Sequence, residues 1–380
     1  MSQKEIIGKG TIAKLKEILS ERKLNNIFLV TGKSSYEKSG AKDAIEPILS
    51  DYKVTHFYDF EVNPKVKDIE KGMEIFKKNN CDFVIAIGGG SVMDIAKSIN
   101  ILASNEGNPT EYIKNQKNIE NKGKVLVAVP TTSGSGSEAT RSAVVYIDKT
   151  KYSLAHEFII PNYAIVDSQL TMNLPKHITA SAGMDALSQA IESYWCIDST
   201  EESKDYARKA IKLIMGNLID AVDNPTRESR EAMAEASFLA GKAINISRTT
   251  ACHAIAYPIT SYFGVPHGHA VALTLAQMLV YNSKVTEKDI LDKRGINYVH
   301  ETLKEIAGLI GADDIQDANK RITSLMEEIG LKTRLSEIGV KTDEDIEIII
   351  KNGFNPQRVN NNPRLLTEET LRNEILDEIK

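Results

Sequence analysis

The sequence predicts an α/β, doubly wound first domain followed by an all-helical second one, and three observations predict it. A five-residue apolar run ending in three glycines opens a helical pattern at residues 81–97 (CDFVIAIGGGSVMDIAK). Other short apolar runs end in the same kind of small, polar turn. After Pro175 the strand signals give way to long helical periodicities.

Taken in order, residues 11–23 have helical spacing and residues 26–31 (NIFLVT) read as a buried strand ending in Gly32, Lys33, Ser34 and Ser35. In a nucleotide-binding fold such a turn meets the ribose, where a carboxylate favours a free hydroxyl and repels a phosphate. No acid stands here, and Gly32, Lys33 and Ser34 are fit to receive a phosphate, which points to NADP(H) over NAD(H). A solvated loop would have the same composition.

Residues 52–60 (YKVTHFYDF) alternate as a strand does, Asn63 and Pro64 break the pattern, and a helix is expected over 67–78. The run at 84–87 (VIAI) is too short for a helix and reads as a parallel strand covered on both faces. Gly88, Gly89 and Gly90 suit positive φ and close approach of another group. Ser91 stands where an N-cap belongs, so first-turn amides would face an anion, best a pyrophosphate. The triplet is not the G-x-G-x-x-G fingerprint, and a purely structural turn would also use it.

Residues 124–129 (KVLVAV) are another buried strand, running into a second loop at 130–140 (PTTSGSGSEAT). Its hydroxyls and amides suit phosphate or ribose, and equally a flexible turn. Strands over 142–147 and 162–167 complete this half. The boundary falls at Leu174-Pro175-Lys176, giving a dinucleotide-binding domain over 1–175 and a helical domain over 176–380. Helices are expected over 203–222, 228–245 and 297–310, with a final amphipathic helix capped by Thr367. A cleft between the halves is the expected ligand site.

The 380 residues suffice for two cores, with 42% hydrophobic and 26% charged residues and a formal net charge of −5. That charge offers no general attraction to nucleic acid or anionic membrane. No apolar run approaches the roughly 18 residues of a spanning helix. The polar start lacks the apolar core of a secretion signal, so the cytoplasm is the default location. Cys81, Cys196 and Cys252 are odd in number and widely spaced, and read as reduced thiols.

Asp185 lies in an apolar helical stretch, where an unpaired carboxylate is costly to bury, and Gln189 four residues on shares its face. His253 lies among small and apolar residues, while His267 and His269 follow Pro266 at a helix start. One carboxylate and two imidazoles from three helices could hold a divalent cation with a position open to substrate oxygen. Taken singly, each histidine is equally compatible with a structural role.

Together these stretches resemble the iron-containing (group III) alcohol dehydrogenases over essentially the full length. The matching pieces are TGKSS at 31–35, GGGSVMDIAK at 88–97, PTTSGSGSEAT at 130–140, GMDAL at 183–187, His253 with Pro258, PHG at 266–268 and NNPR at 361–364. The resemblance implies a Rossmann-like N-terminal domain and a helical C-terminal domain, the dehydroquinate synthase-like fold, with NAD(P) and metal in the cleft. Carried over by position, Asp185, His253 and His267 match three of the family's four metal ligands. The fourth, usually histidine, falls on Gln189, whose amide oxygen binds iron or zinc more weakly than an imidazole. Three readings stay open: a metal held by three residues plus water, a metal weakly assisted by Gln189, or a metal-free site with Gln189 donating a hydrogen bond to the substrate; a labile Fe2+ or Zn2+ is the favoured one. A second histidine of some members falls on Tyr257, whose phenol would relay a proton or merely pack. The resemblance also places Gly32, Ser34, Asn63, Gly88, Gly89, Gly90, Ser91, Asp94, Thr131, Thr132, Gly134, Ser135 and Lys151 at the cofactor.

DALSQAIESYWC, STEESKDYARKAI, RTTACHA and PHGHAVA look like phosphonoacetaldehyde reductases, which form 2-hydroxyethylphosphonate. A phosphonate needs cationic partners. Arg141 and Arg248 are the candidates, with salt bridges at the domain interface as their other use. The expectation is an NAD(P)H-dependent aldehyde reductase, reversible as an alcohol dehydrogenase. The alternative within the family is an NAD-dependent butanol or polyol dehydrogenase, and from another class a catalytically inactive nucleotide-binding sensor. Apolar helix faces are compatible with a homodimer.

Overall fold

The computed structural model describes residues 3–148 and 150–380. The chain divides into two compact units, Met1–Leu174 with Thr226–Phe238, and Pro175–Pro225 with Leu239–Lys380. Thr226–Phe238 thus lies with the first unit although it follows residue 175.

The first unit runs β1 (Lys4–Ile7), α1 (Lys14–Ser20), β2 (Ile27–Thr31), α2 (Ser35–Lys38), α3 (Ala41–Leu49), β3 (Val54–Phe57), α4 (Val66–Lys78), β4 (Phe83–Gly88), α5 (Gly90–Ala103), α6 (Pro109–Ile113), β5 (Val125–Pro130), β6 (Ser142–Ile147), β7 (Thr150–Ala155) and β8 (Tyr163–Val166). Six strands make a parallel sheet in the order β1-β8-β5-β4-β2-β3. Side chains alternate across it. Val84 and Ala86 of β4 join a core with Ile69, Met73, Ile95 and Ile99. Phe83, Ile85 and Ile87 face Leu15, Leu19 and Ile45 on the other side. Both faces are covered, which is why this strand is apolar without a break.

Two features depart from the sequence reading. The segment Ser142–Ile147 leaves the sheet and pairs antiparallel with β7, and β1 adds an edge strand beside β8. A strand facing one hairpin partner and a core has the same apolar content as a sheet strand, so composition does not separate them.

The second unit is built from α7 (Lys176–Trp195), α8 (Glu201–Asp223), the end of α9 (Arg227–Ser247), α10 (Ala251–Phe263), α11 (His267–Ser283), α12 (Ile296–Ile310), α13 (Ile315–Glu328), α14 (Asp343–Gly353) and α15 (Pro356–Val359). After the Thr367 cap the tail is a short turn of α-helix, a π-helical Leu371–Leu376 and a 3-10 turn, in place of one regular helix. The wider π winding keeps Leu371, Ile375 and Leu376 all buried. Among the described residues no helix is long and apolar enough to cross a membrane. Cys81, Cys196 and Cys252 are free and buried.

Candidate metal centre and nucleotide cradle

In the first unit the chain steps outward from β2 to β3, then returns to the other side of β2 with β4, β5 and β8. The switch point lies between β2 and β4, where Thr31 stands opposite Ile87. Ligands of doubly wound sheets bind beyond the carboxyl ends of strands at such a point. The turn at Gly32 and the glycine triplet both emerge there.

The two glycine-rich loops are packed together. Gly88 O accepts from Thr131 N at 2.9 Å. A Cβ on Gly89 would stand 3.3 Å from the Thr132 side chain, and one on Gly90 3.0 Å from Ser135 Oγ. Gly89 and Gly90 therefore serve close approach, Gly89 at an ordinary φ of −83°, while Gly88 takes φ 159°. Helix α5 starts at Gly90 with Gly89 as its N-cap, so Ser91 lies inside the helix and is not its cap. Ser91 Oγ instead accepts from Asn63 N at 3.2 Å, Asn63 itself adopting φ 64°. Burial raises the Asp94 pKa, against the pull of Lys97 and, from β7, of Lys151. The structure thus gathers Asn63, Gly88, Gly89, Gly90, Ser91, Asp94, Thr131, Thr132, Ser135 and Lys151, with Gly134 in the same loop. Gly32 is at the neighbouring strand end, where a Cβ would meet Ser35 Oγ, and Ser34 is exposed. Lys33 Nζ is 3.2 Å from Asp59 Oδ1, a contact the sequence does not reveal.

Lys97 is also missed by sequence reasoning. It is buried, and its ammonium donates to Ser137 O, Ser137 Oγ at 3.0 Å, Thr140 Oγ1 at 3.1 Å and Ser142 O at 2.9 Å. Asp94 Oδ1 accepts from Ser137 Oγ at 2.7 Å, and Glu138 is buried beside them. Burial lowers Lys97 to about 8 against the pull of both carboxylates, and raises Glu138 to about 7. The signal was present in GGGSVMDIAK, where the spacing of three puts Asp94 and Lys97 on one helix face.

In the second unit Asp185, His253 and His267 each offer a ligand atom, all within 4.8 Å of one another. Gly268 makes this approach possible: a Cβ there would lie 1.9 Å from Ser181 O and 2.7 Å from Asp185 Cβ, so only glycine lets α11 come this close to α7. Gln189 is buried one turn after Asp185. His269 is engaged elsewhere, with its Nε2 2.7 Å from Lys332 O and its backbone N donating to Ser181 Oγ.

Glu192, again on α7 and 0% exposed, is the group that orients His253. Its Oε1 accepts from Thr250 N at 3.1 Å, Thr250 Oγ1 at 2.8 Å and His253 N at 3.3 Å, and Oε2 contacts His253 Nδ1. A carboxylate at the N-terminus of α10 is well placed against the helix dipole. With Nδ1 engaged, Nε2 is the nitrogen presented to the cluster, 3.4 Å from Asp185 Oδ1 and with no hydrogen-bond partner among the described residues. Burial would lower the His253 pKa, but the Glu192 and Asp185 carboxylates outweigh it and raise it to about 9. The mixed carboxylate and imidazole set, with a buried ring nitrogen aimed inward, fits a divalent first-row cation.

Tyr257 lies one turn after His253 on α10, and its ring stacks on His267 at 5.9 Å. Burial raises its phenol pKa. The guanidinium of Arg358, from α15, sits 5.7 Å from the Tyr257 ring centre and donates from Nη1 to Thr249 Oγ1 at 2.8 Å. Arg358 was not anticipated: it lies in a stretch of asparagines and prolines that reads as plain loop. Of the arginines that were, Arg141 is exposed at the head of β6 in the first unit, and Arg248 is exposed after α9 with φ 77°.

The iron-containing alcohol dehydrogenase family matches residues 2–168, and the C-terminal region of the Fe-containing alcohol dehydrogenase family matches residues 179–379. Alcohol dehydrogenase 4 of Schizosaccharomyces pombe is 32% identical, covering 91% of this chain and 80% of its own. The NADPH-dependent butanol dehydrogenase of Clostridium saccharobutylicum is 30% identical over 96% of this chain and 93% of its own. The crystal structure of sulfoacetaldehyde reductase from Bifidobacterium kashiwanohense in complex with NAD+ superposes with a TM-score of 0.86 at 34% identity, covering 97% of this chain and 95% of that one. The chain belongs to the iron-containing alcohol dehydrogenase family, oxidoreductases that act on CH–OH groups with NAD(P) and a divalent metal.

Proposed function

We propose that this chain reduces a small anionic aldehyde, phosphonoacetaldehyde, to 2-hydroxyethylphosphonate with NADPH, and runs in reverse as an alcohol dehydrogenase. The carrying observation is the trio Asp185, His253 and His267, a compact donor set suited to activating a carbonyl oxygen. The sulfoacetaldehyde reductase relative supports the substrate class, because sulfonate and phosphonate are both tetrahedral oxyanions on a two-carbon aldehyde.

Bound by Asp185, His253 and His267, a divalent cation supplies Lewis acidity toward the carbonyl oxygen, and NADPH supplies the hydride. Glu192 fixes the His253 tautomer. Gln189, a weaker donor than histidine, either assists the three ligands or donates a hydrogen bond to substrate. Tyr257 stays protonated and is fit to give a hydrogen bond, then a proton, at the developing alkoxide. The two glycine-rich loops, with Asn63, Asp94 and Lys151, cradle the pyrophosphate and ribose.

Preference for NADPH is supported by the lack of an acid at Gly32 and by Lys33 beside it. The NADPH-dependent butanol dehydrogenase relative agrees with it, while the NAD+-bound relative favours the other cofactor. The test is cofactor oxidation by metal-reconstituted protein with phosphonoacetaldehyde, sulfoacetaldehyde, butyraldehyde and glycolaldehyde, each with NADPH and NADH. A preference for uncharged aldehydes would replace this reading by the butanol or polyol one.

A further inference from the structure

We propose that Arg358 is the residue that binds the substrate's oxyanion head and so selects anionic over neutral aldehydes; this rests on the reading of the substrate class above. Arg358 reaches the donor trio through one aromatic step: its guanidinium is 5.7 Å from the Tyr257 ring centre, and that ring is 5.9 Å from His267. His253 and Tyr257 share a face of α10 at a spacing of four, and α15 packs on the same helix. The Tyr257 ring therefore neighbours both a metal donor and the guanidinium within the second unit.

The chemistry of Arg358 is that of a waiting cation. It is only partly exposed, and among the described residues it forms no ion pair, unlike Arg364 nearby in the chain, which pairs with Asp289 and Glu374. Thr249 Oγ1 takes one Nη1 bond, which fixes the plane of the fork and leaves the other donors for a ligand. A partly buried guanidinium with no counter-ion favours an anion, and its fork matches two oxygens of a phosphonate or sulfonate. The reach is right for a short substrate. Bonds of about 1.5 Å and a hydrogen bond of about 2.9 Å carry a two-carbon aldehyde roughly 8 Å from its carbonyl oxygen to the guanidinium. The Tyr257 ring neighbours both ends of that path, 5.9 Å from the His267 ring and 5.7 Å from the guanidinium.

The test uses full-length, metal-loaded enzyme at saturating cofactor, with phosphonoacetaldehyde, sulfoacetaldehyde and 3,3-dimethylbutyraldehyde, whose tert-butyl head is a neutral tetrahedral counterpart. Arg358→Met should lower kcat/KM for both anionic aldehydes by about tenfold to a hundredfold, mainly through KM, and leave the neutral one unchanged or faster. Arg358→Lys should recover part of the loss, since charge without the fork still attracts the anion. Thr249→Val keeps the charge and frees the fork, so its loss on the anions should be smaller than that of Arg358→Met. Competitive inhibition by ethylphosphonate and ethanesulfonate separates the two head groups in the same proteins. Equal loss on anionic and neutral aldehydes, or a raised KM for NADPH, would overturn the assignment. A wild type that prefers the neutral aldehyde would overturn the substrate class itself. A wild type that prefers anions, with the preference intact in Arg358→Met, would refute Arg358 alone.

Discussion

Replacing Glu192 with glutamine changes one atom and should change how the donor trio competes for metal against protons. The carboxylate accepts from Thr250 and His253 and faces His253 Nδ1, so an amide must turn its own N–H₂ toward a donor on one side or the other. Loss of such outer partners typically weakens metal binding about 10- to 100-fold. A second effect opposes it. With His253 raised to about 9, metal uptake at pH 7 displaces a proton held by two pH units, a cost of about 2.7 kcal/mol. Glu192 raises the proton affinity as well as the metal affinity, and removing it relieves part of that cost. In the wild type, apparent Zn2+ affinity should therefore rise about tenfold per pH unit until pH 9 and then flatten. In Glu192→Gln it should flatten at lower pH and at a plateau about 10- to 100-fold lower, the two curves converging toward neutral pH. Competition with a chromophoric chelator across this pH range measures both curves. Parallel curves, or an unchanged plateau in a variant with native circular dichroism, would refute the role given to Glu192.

Three other outcomes follow from contacts described above. Gly268→Ala sets a methyl 1.9 Å from a backbone oxygen that cannot swing away, so α11 must retreat from α7. Calorimetry should show a loss of about 1–3 kcal/mol, accompanied by weaker metal retention, and full retention would remove Gly268 from the site's design. Glu138 is raised by burial to about 7 from 4.5, so the fold favours its neutral form, and that stability is present below about 4.5 and lost as pH rises through 7. Glu138→Gln, a permanent neutral mimic, should stabilise the chain by at most about 3 kcal/mol at pH 8 and hardly at all at pH 4.5, measured by urea melts. Asp59 holds Lys33 at 3.2 Å and Lys71 at 2.5 Å, so Asp59→Asn should release both and lower KM for NADPH about 2- to 5-fold without changing NADH. An equal shift for both cofactors would sever Lys33 from the 2′-phosphate.

What the sequence revealed, and what it hid, follows from how far each feature reaches along the chain. Unbroken apolar runs such as residues 84–87 disclose a strand covered on both faces because the cause is local. Asp185, His253 and His267 each stand out as polar residues in apolar surroundings, though only the fold shows that His267 joins the other two while His269 turns to Lys332 O. Glu192 reads as an ordinary helical acid, since nothing nearby in sequence says that Thr250 and His253 will fold onto it. Lys97 and Arg358 are hidden for the same reason: their partners lie some forty and a hundred residues away. Ser91 is one residue inside α5 because Gly90 itself takes the first helical position, with Gly89 in extended conformation as the cap.

The ammonium of Lys97, threaded through Ser137, Thr140 and Ser142, also bears on how the loop at 131–140 behaves before any nucleotide arrives. A loop stitched from inside by a buried cation has little freedom left to surrender. Its amides should resist deuterium exchange to a similar degree with and without cofactor, and heat-capacity changes on binding should reflect surface burial with no contribution from folding of the loop. Nucleotide capture in this protein is then a docking event onto a finished surface.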